Sequence, residues 1–294
     1  MSKRRLNFAV AACLGLVAVL RPAAQAPSLD EVLKRSADYV SEFRKQLSGI
    51  VAEETYRQEL TATSRISNSL LVNPPRVLKS DLLLIKPGDA DRYVELRDVF
   101  EKDGEPVRDR EARLEALLRD ASGTAGGRIA DIIAESAKHN IGGVQRNINT
   151  PLMALQFLDS DYQPRFRFRH VDKQKPVFKD ERDKAINETP VFRVSTEMWT
   201  IEYQERDRHT VIRRPDGRDL PAHGRFWINP ANGAVLISEL IVDGGGVIAT
   251  VTVSYQSEPL MGFLVPIEMR ETYVRPGERI SGHAVYSKFR PIEK

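Results

Sequence analysis

From Pro164 to its end, the chain reads as a succession of strands joined by tight turns. Residues 165–169 alternate arginine with phenylalanine, which places both aromatic rings on one face of a strand. Two apolar runs flank the turn sequence at 229–233, and residues 249–255 alternate apolar side chains with threonine or serine. Consecutive hairpins of this length predict one large, curved antiparallel sheet.

A helix and further strands precede this region. Ser28 and Glu31 have the spacing of a capping box, and apolar residues then recur at helical intervals. From Ile50 the period shifts towards two, and further strands are predicted at 77–85 and 92–100. An N-terminal helix should therefore lead directly into antiparallel strands.

The middle of the chain, residues 108–160, is predicted to be a helical insert. Helical patterns at 109–119 and 128–140 are separated by a glycine-rich stretch, and Thr150 with Pro151 predicts the start of a third helix. The expected fold class is α+β. Its large curved antiparallel sheet, an incomplete β-barrel, would have the N-terminal helix and the helical middle segment covering its concave face.

Residues 1–26 have the pattern of a secretory signal peptide, with three basic residues, an uncharged apolar run and a small-residue end at Ala26. We expect a periplasmic or secreted protein in which residues 27–294 form a single β-rich domain. Two alternatives stay open. In the first, Pro27 disfavours cleavage after Ala26, and the uncleaved leader would stay as a membrane anchor. In the second, the segment ending at Cys13 loosely resembles a lipoprotein box, whose cysteine would be acylated.

The charge balance gives no indication of a nucleic-acid partner. The chain has 44 Lys and Arg against 41 Asp and Glu, a formal net charge of +3. Four of the basic residues lie in the leader, so the exported chain would have 40 against 41, a net charge of −1. A near-neutral, mixed surface lacks the electrostatic footprint of nucleic-acid binding. The single cysteine, Cys13, also lies in the leader, so no disulfide or thiol nucleophile is expected in the exported chain.

No catalytic or metal-binding motif is recognisable. The five histidines lack the spacing of a zinc site, no G-x-S-x-G elbow is present, and residues 122–128 lack the lysine of a phosphate-binding loop. Glu135 and His139, one helical turn apart, are a chemically conceivable acid–base pair. We identify no catalytic residue, no metal ligand and no cofactor, and enzymatic activity stays open.

Polar residues concentrate around the transition from strand to helix. They are Arg97, Asp98, Arg108, Asp109, Arg110, Glu111, Glu135, His139, Asn140, Arg146 and Asn147. In one interpretation, facing charges form a buried ion-pair network that fixes the helices on the sheet. In the other, the cluster is the polar rim of a pocket, where Arg97 or Arg146 would bind a carboxylate or phosphate head group.

Bulky aromatic residues on the predicted strands allow the same two interpretations. They are Phe166, Phe168, Phe192, Trp199, Phe226 and Trp227. They either fill an ordinary core against the first helix or line a pocket for an amphiphile. Together with Arg97 and Arg146, they are the predicted ligand-binding residues.

The stretch 224–233, Gly-Arg-Phe-Trp-Ile-Asn-Pro-Ala-Asn-Gly, together with the strands at 251–255, 266–269 and 280–290, resembles the periplasmic lipoprotein-localisation factors. In that fold group, a strand that ends in an Asp/Asn-Pro-x-x-Gly turn is followed by strands of this kind. The resemblance implies an incomplete β-barrel that holds an acyl chain in an apolar concavity under a helical lid. The chain also resembles secreted bacterial proteins without an assigned function.

The predicted function is that of an exported envelope protein that binds a lipid or a lipoprotein acyl chain without catalysis. The alternative is an envelope scaffold that binds another protein through its sheet face and edge strands, and a hydrolase is the third hypothesis. A continuous apolar cavity on the order of several hundred Å³ would favour the carrier. A packed interior with an exposed apolar patch would favour the interaction module.

Overall fold

The computed structural model describes residues 26–63, 70–85, 93–119, 125–144, 146, 148–171, 198–214 and 216–292. Residues 1–25 of the predicted signal peptide and the predicted ligand residue Phe192 lie outside this set. Within it, no helix combines the length and the apolar character needed to cross a membrane.

The described residues form three α-helices, two short 3₁₀ helices and fourteen strands. The helices are α1 (Leu29–Leu47), α2 (Arg110–Arg119) and α3 (Ala125–Ala137), and the 3₁₀ helices span Ala154–Leu158 and Gln163–Arg165. The strands are β1 (Ile50–Thr63), β2 (Leu70–Val72), β3 (Arg76–Ile85), β4 (Val94–Lys102), β5 (Glu105–Pro106), β6 (Phe166–Val171), β7 (Trp199–Glu205), β8 (Ile212–Arg213), β9 (Asp219–Leu220), β10 (Ala222–Ile228), β11 (Val235–Gly244), β12 (Val247–Glu258), β13 (Phe263–Arg275) and β14 (Glu278–Pro291).

Twelve of the strands form one sheet, in the order β5-β4-β3-β1-β14-β13-β12-β11-β10-β7-β6, with β2 paired to β1 off this path. Every strand pair in the described part of this sheet is antiparallel. Within the described chain, β5 and β6 do not pair with each other, so the sheet is not closed. The predicted α+β class with one large, open antiparallel sheet is confirmed. Strands β8 and β9 form a separate ribbon.

Strand β1 shows how the concave face is built. Glu54, Tyr56 and Gln58 are buried, while Thr55 and Arg57 between them are exposed. This period of two is expected for a sheet with one packed face. Since a carboxylate and an amide are among the buried side chains, both need polar partners inside the fold.

Helix α1 and the 3₁₀ helix at 154–158 fill part of the concave face. Val40 and Phe43 of α1 join the same buried cluster as Phe157 and Leu158, and the Phe43 ring meets the Tyr255 ring edge-on at 6.1 Å between centroids. Each fully buried large apolar side chain contributes about 1.5–3 kcal/mol. This packing is therefore a major source of stability.

The predicted capping box and the predicted β10–β11 turn both hold α1 in place. Ser28 N donates to the Glu31 carboxylate at 2.8 Å, and Glu31 N donates to Ser28 Oγ at 3.3 Å. Arg35 Nη1 donates to the Pro230 carbonyl oxygen at 2.6 Å. Gly233 has φ +76°, and a Cβ there would lie 2.3 Å from the Arg35 carbonyl carbon. The turn therefore needs glycine both for its backbone conformation and for its contact with α1.

Helix α3 lies along strand β4, at the edge of the sheet. Ser136 Oγ accepts from the Arg97 backbone N–H at 3.0 Å and donates to the Glu95 carbonyl oxygen at 3.3 Å. Ile129 and Ile132 belong to a separate small apolar cluster with residues of β4. The helix therefore satisfies backbone groups that an uncovered edge strand would expose.

The third predicted helix is instead a 3₁₀ helix at Ala154–Leu158. The Pro151 carbonyl oxygen, which an α-helix starting there would use for its own ladder, accepts from the Tyr255 hydroxyl at 2.5 Å. Leu152 N donates to the Glu95 carboxylate at 2.9 Å. These contacts with the sheet replace the predicted first helical turn.

Replacing Gly233 with alanine should destabilise the protein much more than the same change at Gly104. Gly104 also has positive φ, +86°, but nothing lies within 4 Å of a Cβ there. We expect a loss of about 1–2 kcal/mol for Gly104→Ala from backbone strain, and a further loss of about 1–3 kcal/mol for Gly233→Ala from overpacking against α1. Chemical denaturation measures both, and equal losses would contradict the role given to the turn.

Candidate functional site

A buried ion pair joins Arg97 in β4 to Glu54 in β1. Arg97 Nε and Nη2 lie 2.5 and 2.9 Å from the two carboxylate oxygens of Glu54, and the side chains are 3% and 0% exposed. Ser80 Oγ donates to the same carboxylate at 2.9 Å, and the guanidinium lies 4.7 Å from the Tyr56 ring centroid. The charge of Arg97 is thus matched inside the fold by a bidentate partner.

A second buried pair joins Arg146, in the segment after α3, to Glu271 in β13. Arg146 Nη1 lies 2.6 Å from Glu271 Oε1 and 2.8 Å from the Tyr56 hydroxyl oxygen, and Nη2 donates to the Gln58 side chain. Both charged side chains are 0% exposed. Since an unpaired charge at such a position is strongly unfavourable, this pair ties the segment to the sheet.

These contacts favour the ion-pair interpretation of the polar cluster. Arg110 of α2 extends it, with Nη2 lying 2.7 Å from Asp98 and 2.8 Å from Asp81. Contact of Arg97 or Arg146 with a ligand stays a prediction. Each of these guanidinium groups already holds a carboxylate that an anionic ligand would have to displace.

Glu135 and His139, the conceivable acid–base pair, do not form a hydrogen bond with each other among the described contacts. The Glu135 carboxylate pairs with Arg113, and His139 Nε2 is buried without a hydrogen-bond partner in the described structure. Burial, followed by the positive charge of Arg113, lowers the pKa of His139. Across the described ranges, no group of three or more His, Cys, Asp or Glu residues is arranged to hold a metal ion.

Two of the predicted aromatic residues lie within a packed core. Phe166 and Phe226 are 3% and 0% exposed. The Phe166 ring stacks on Phe157 at 4.6 Å between centroids, and the Phe226 ring stacks on Tyr203 at 4.7 Å. Phe168 packs at the margin of the same cluster. These aromatic rings therefore pack against other aromatic rings of the core.

The two tryptophans have different surroundings. Trp199 is partly buried and stacks on His170 at 3.9 Å between centroids. Trp227 pairs with Thr200 in the sheet, while its neighbour Phe226 pairs with Ile201. Since adjacent strand residues point to opposite faces, Trp227 lies on the face opposite the Phe226 core. A ligand role for the aromatic set stays a prediction.

A cavity of about 320 Å³ lies at the end of the sheet that carries the β11–β12 turn and the end of β13. We call it the end cavity. Its apolar lining consists of Val144, Ile148, Ile212, Leu220, Val242, Val247, Ala249 and the ring of Tyr273. The remaining lining residues are Gly143, Gly244, Gly245, Arg213, Arg214 and Arg275. None of the eight predicted ligand residues is among them.

The floor of the end cavity comes from a single row across three strands. Val242 pairs with Ala249, and Ala249 pairs with Tyr273, so their side chains share one face of the sheet. These residues are 4%, 5% and 2% exposed. The side chains of the three lining arginines are between 32% and 51% exposed. The cavity therefore has an apolar floor and a basic mouth.

The β8–β9 ribbon forms one wall, and its two ends are held by one carboxylate. Glu205 Oε1 accepts from Val211 N at 2.7 Å, and Oε2 accepts from Ala222 N at 3.1 Å. Burial raises the pKa of Glu205. Ile212 and Leu220, paired across the ribbon, both line the cavity.

Sequence reasoning missed the end cavity. The glycines at 244–246 are predicted only as a turn, and the arginines at 213 and 214 carry no motif. Apolar pairs at 211–212 and 247–248 adjoin these positions, and they are the sequence pattern that could have indicated the cavity. The volume of the cavity, however, depends on the β8–β9 ribbon lying close to the end of β13 in the folded protein.

Comparisons with known proteins give two structural neighbours. One is the crystal structure of a "putative outer membrane lipoprotein-sorting protein domain" from Vibrio parahaemolyticus, with 14% identity over 89% of this chain and 95% of that chain and a TM-score of 0.36. The other is a DUF1329 family protein from Desulfovibrio piger, with 10% identity over 88% and 92% and a TM-score of 0.36. No protein-family model and no curated protein matches the chain.

The description of the first neighbour names lipoprotein sorting. Both TM-scores lie below 0.5. We therefore base the functional proposals on the cavity and its residues.

Near the Arg97 pair, Glu95 is a carboxyl group with a strongly perturbed environment. Its Oε2 atom is buried without a hydrogen-bond partner among the described residues, although the residue as a whole is partly exposed. Burial raises the pKa of Glu95 to about 8, against the opposing effect of the Leu152 N–H. The protonated form is therefore favoured in the folded protein near neutral pH.

Breaking the Arg146–Glu271 pair should destabilise the fold. We expect Arg146→Met to lower the free energy of unfolding by about 3–5 kcal/mol, because it leaves Glu271 buried and uncompensated. The matched control is Arg57→Met, which removes an exposed pair with Glu59 and should cost at most about 1 kcal/mol. Adding Glu271→Leu to Arg146→Met should restore part of the loss in chemical denaturation. Equal effects of the two single variants would contradict this assignment.

Glu95 should leave a signature in the pH dependence of stability. Its pKa rises from 4.5 to about 8 on folding. The contribution of the protonated carboxyl group to stability is therefore complete below pH 4.5 and is lost as the pH rises through about 8. The stability of Glu95→Gln relative to the wild type should therefore increase from about pH 5 to about pH 8 and level off above that. Thermal or chemical unfolding across this range measures the difference, and parallel curves would contradict the raised pKa.

Proposed function

We propose that the chain is an exported envelope protein that binds a lipid or another acyl-chain amphiphile without converting it chemically. The observation that carries this proposal is the end cavity, with its apolar floor and basic mouth. Its volume of about 320 Å³ is near the lower end of the range of about 300–1,000 Å³ found for small-molecule sites. The leader pattern at residues 1–26 supports export.

The residues of the end cavity suit binding better than proton transfer. Its titratable lining consists of three arginines and Tyr273. Burial, reinforced by the nearby Glu271 carboxylate, raises the pKa of Tyr273 well above its usual range. Tyr273 is thus not poised to exchange a proton near neutral pH, as a general acid or base must do.

Binding of another protein is the second candidate function. Leu70, Leu71 and Val72 of β2 are 55%, 51% and 66% exposed. A row of exposed apolar residues on a short strand favours contact with a partner surface. The two candidates differ in whether the isolated protein binds an acyl chain.

Filling the end cavity should abolish acyl-chain binding. In Ala249→Phe, the larger side chain would occupy the floor, and we expect the affinity for a fluorescent fatty-acid probe to fall at least about tenfold because apolar burial of the chain is lost. The matched control is Ala231→Phe, at an exposed turn position outside the cavity, which should bind as the wild type does. Fluorescence titration of the mature protein measures both.

Two outcomes would overturn the proposal. No saturable binding by the wild type at micromolar probe would favour the protein-interaction function. Unchanged binding by Ala249→Phe together with lost binding by a folded Phe226→Leu variant would place the ligand in the aromatic cluster instead.

A further inference from the structure

The charges around the end cavity are distributed unevenly. Its lining includes three arginines and no aspartate or glutamate. The carboxylates closest to these arginines, which belong to Asp216, Asp219 and Glu278, lie outside the lining. The lining itself therefore carries cationic side chains at the mouth and no charged side chain at the floor, while the carboxylate partners of the arginines stand outside it.

Arg214 has the longest carboxylate contact of the three, although that of Arg213 is only 0.1 Å shorter. Its Nη2 lies 3.5 Å from Asp216 Oδ2, and that oxygen already accepts from Arg218 Nε at 3.0 Å and Nη2 at 2.7 Å. Within the described ranges, the Arg214 guanidinium donates no hydrogen bond. A guanidinium has five N–H donors in a planar fork that matches a carboxylate or a phosphate, so Arg214 has donors available for a ligand.

The guanidinium of Arg214 lies against the backbone of the β11–β12 turn. A Cβ on Gly245 would lie 2.0 Å from Arg214 Nη1, and Gly245 has φ +63°. The guanidinium therefore lies directly on the turn that borders the cavity. Glycine at this position allows the contact.

We propose that the end cavity binds a single-chain anionic amphiphile. Its carboxylate or phosphate head pairs with Arg214, and its alkyl chain lies on the floor formed by Val242, Ala249 and Tyr273. Arg213 and Arg275 add positive potential at the mouth. This inference rests on the proposed function and adds the charge of the head group and the number of chains.

The volume of the cavity sets the number of chains. An apolar protein cavity of about 150 Å³ holds one benzene molecule. A cavity of about 320 Å³ therefore accommodates one alkyl chain of medium length, and a two-chain lipid would leave much of its apolar surface in water.

The test is displacement of the fluorescent fatty-acid probe from the full mature protein by ligands that share one alkyl chain. These are laurate, lauryl phosphate, lauryl alcohol and lauryltrimethylammonium, with inorganic phosphate as the chain-free arm. We expect both lauryl anions to bind at least about tenfold more tightly than the alcohol, the effect of one charge-assisted hydrogen-bonded contact. The cation should bind most weakly of the four, and inorganic phosphate should not displace the probe.

Arg214→Gln should remove most of this preference while leaving binding of lauryl alcohol unchanged. The matched control is Arg169→Gln, which changes a 72% exposed arginine outside the end cavity and should keep the preference. A folded Arg214→Gln variant, verified by its unfolding transition, that still prefers the anions would overturn the assignment of the head group.

The outcomes separate this inference from the proposed function. Equal affinity for the anion, the alcohol and the cation would uphold acyl-chain binding and overturn the anionic head group. Displacement by inorganic phosphate as strong as that by lauryl phosphate would overturn the amphiphile in favour of a simple anion site. Failure of every lauryl compound and of the probe to bind would overturn the proposed function itself.

Discussion

The buried pair between Arg146 and Glu271 is the interaction on which the arrangement of the concave face depends. Two charges that are 0% exposed are tolerated only because they satisfy each other and share the Tyr56 hydroxyl. The pair fixes the segment after α3 against β13. Two residues further on, Ile148 enters the lining of the end cavity, and the Arg146 guanidinium lies 5.6 Å from the centroid of the Tyr273 ring, which lines the same cavity.

Two regions of the fold differ in physical character. On one side, α1, the 3₁₀ helix at 154–158 and stacked rings such as Phe166 and Phe226 form a packed interior. On the other, the β8–β9 ribbon rests over the sheet end and leaves the end cavity between them. A ligand entering the first region would have to displace packed aromatic side chains, whereas the second already has space for one alkyl chain.

Local patterns predict the parts of the fold that depend on neighbours in the sequence. The structure contains the capping box at Ser28, the Asn229–Gly233 turn and the β10–β11 and β11–β12 hairpins. The prediction of a third α-helix is wrong because the Tyr255 hydroxyl, about a hundred residues away in sequence, donates a hydrogen bond to the Pro151 carbonyl oxygen. The pairing of Arg97 with Glu54 and the end cavity depend on contacts between distant strands, and residue periodicity does not specify which strands meet. Sequence patterns do not distinguish Arg146, which is buried against Glu271, from Arg214, which lines the end cavity 3.5 Å from Asp216.

The most direct test of the central claim is a crystal structure of the mature protein with bound laurate. We expect an alkyl chain between Leu220 of the ribbon and Ala249 of the sheet, with the carboxylate hydrogen-bonded to Arg214 and the Arg146–Glu271 pair intact. A chain inserted between Phe166 and Phe226, or a carboxylate that displaces Glu271 from Arg146, would contradict it.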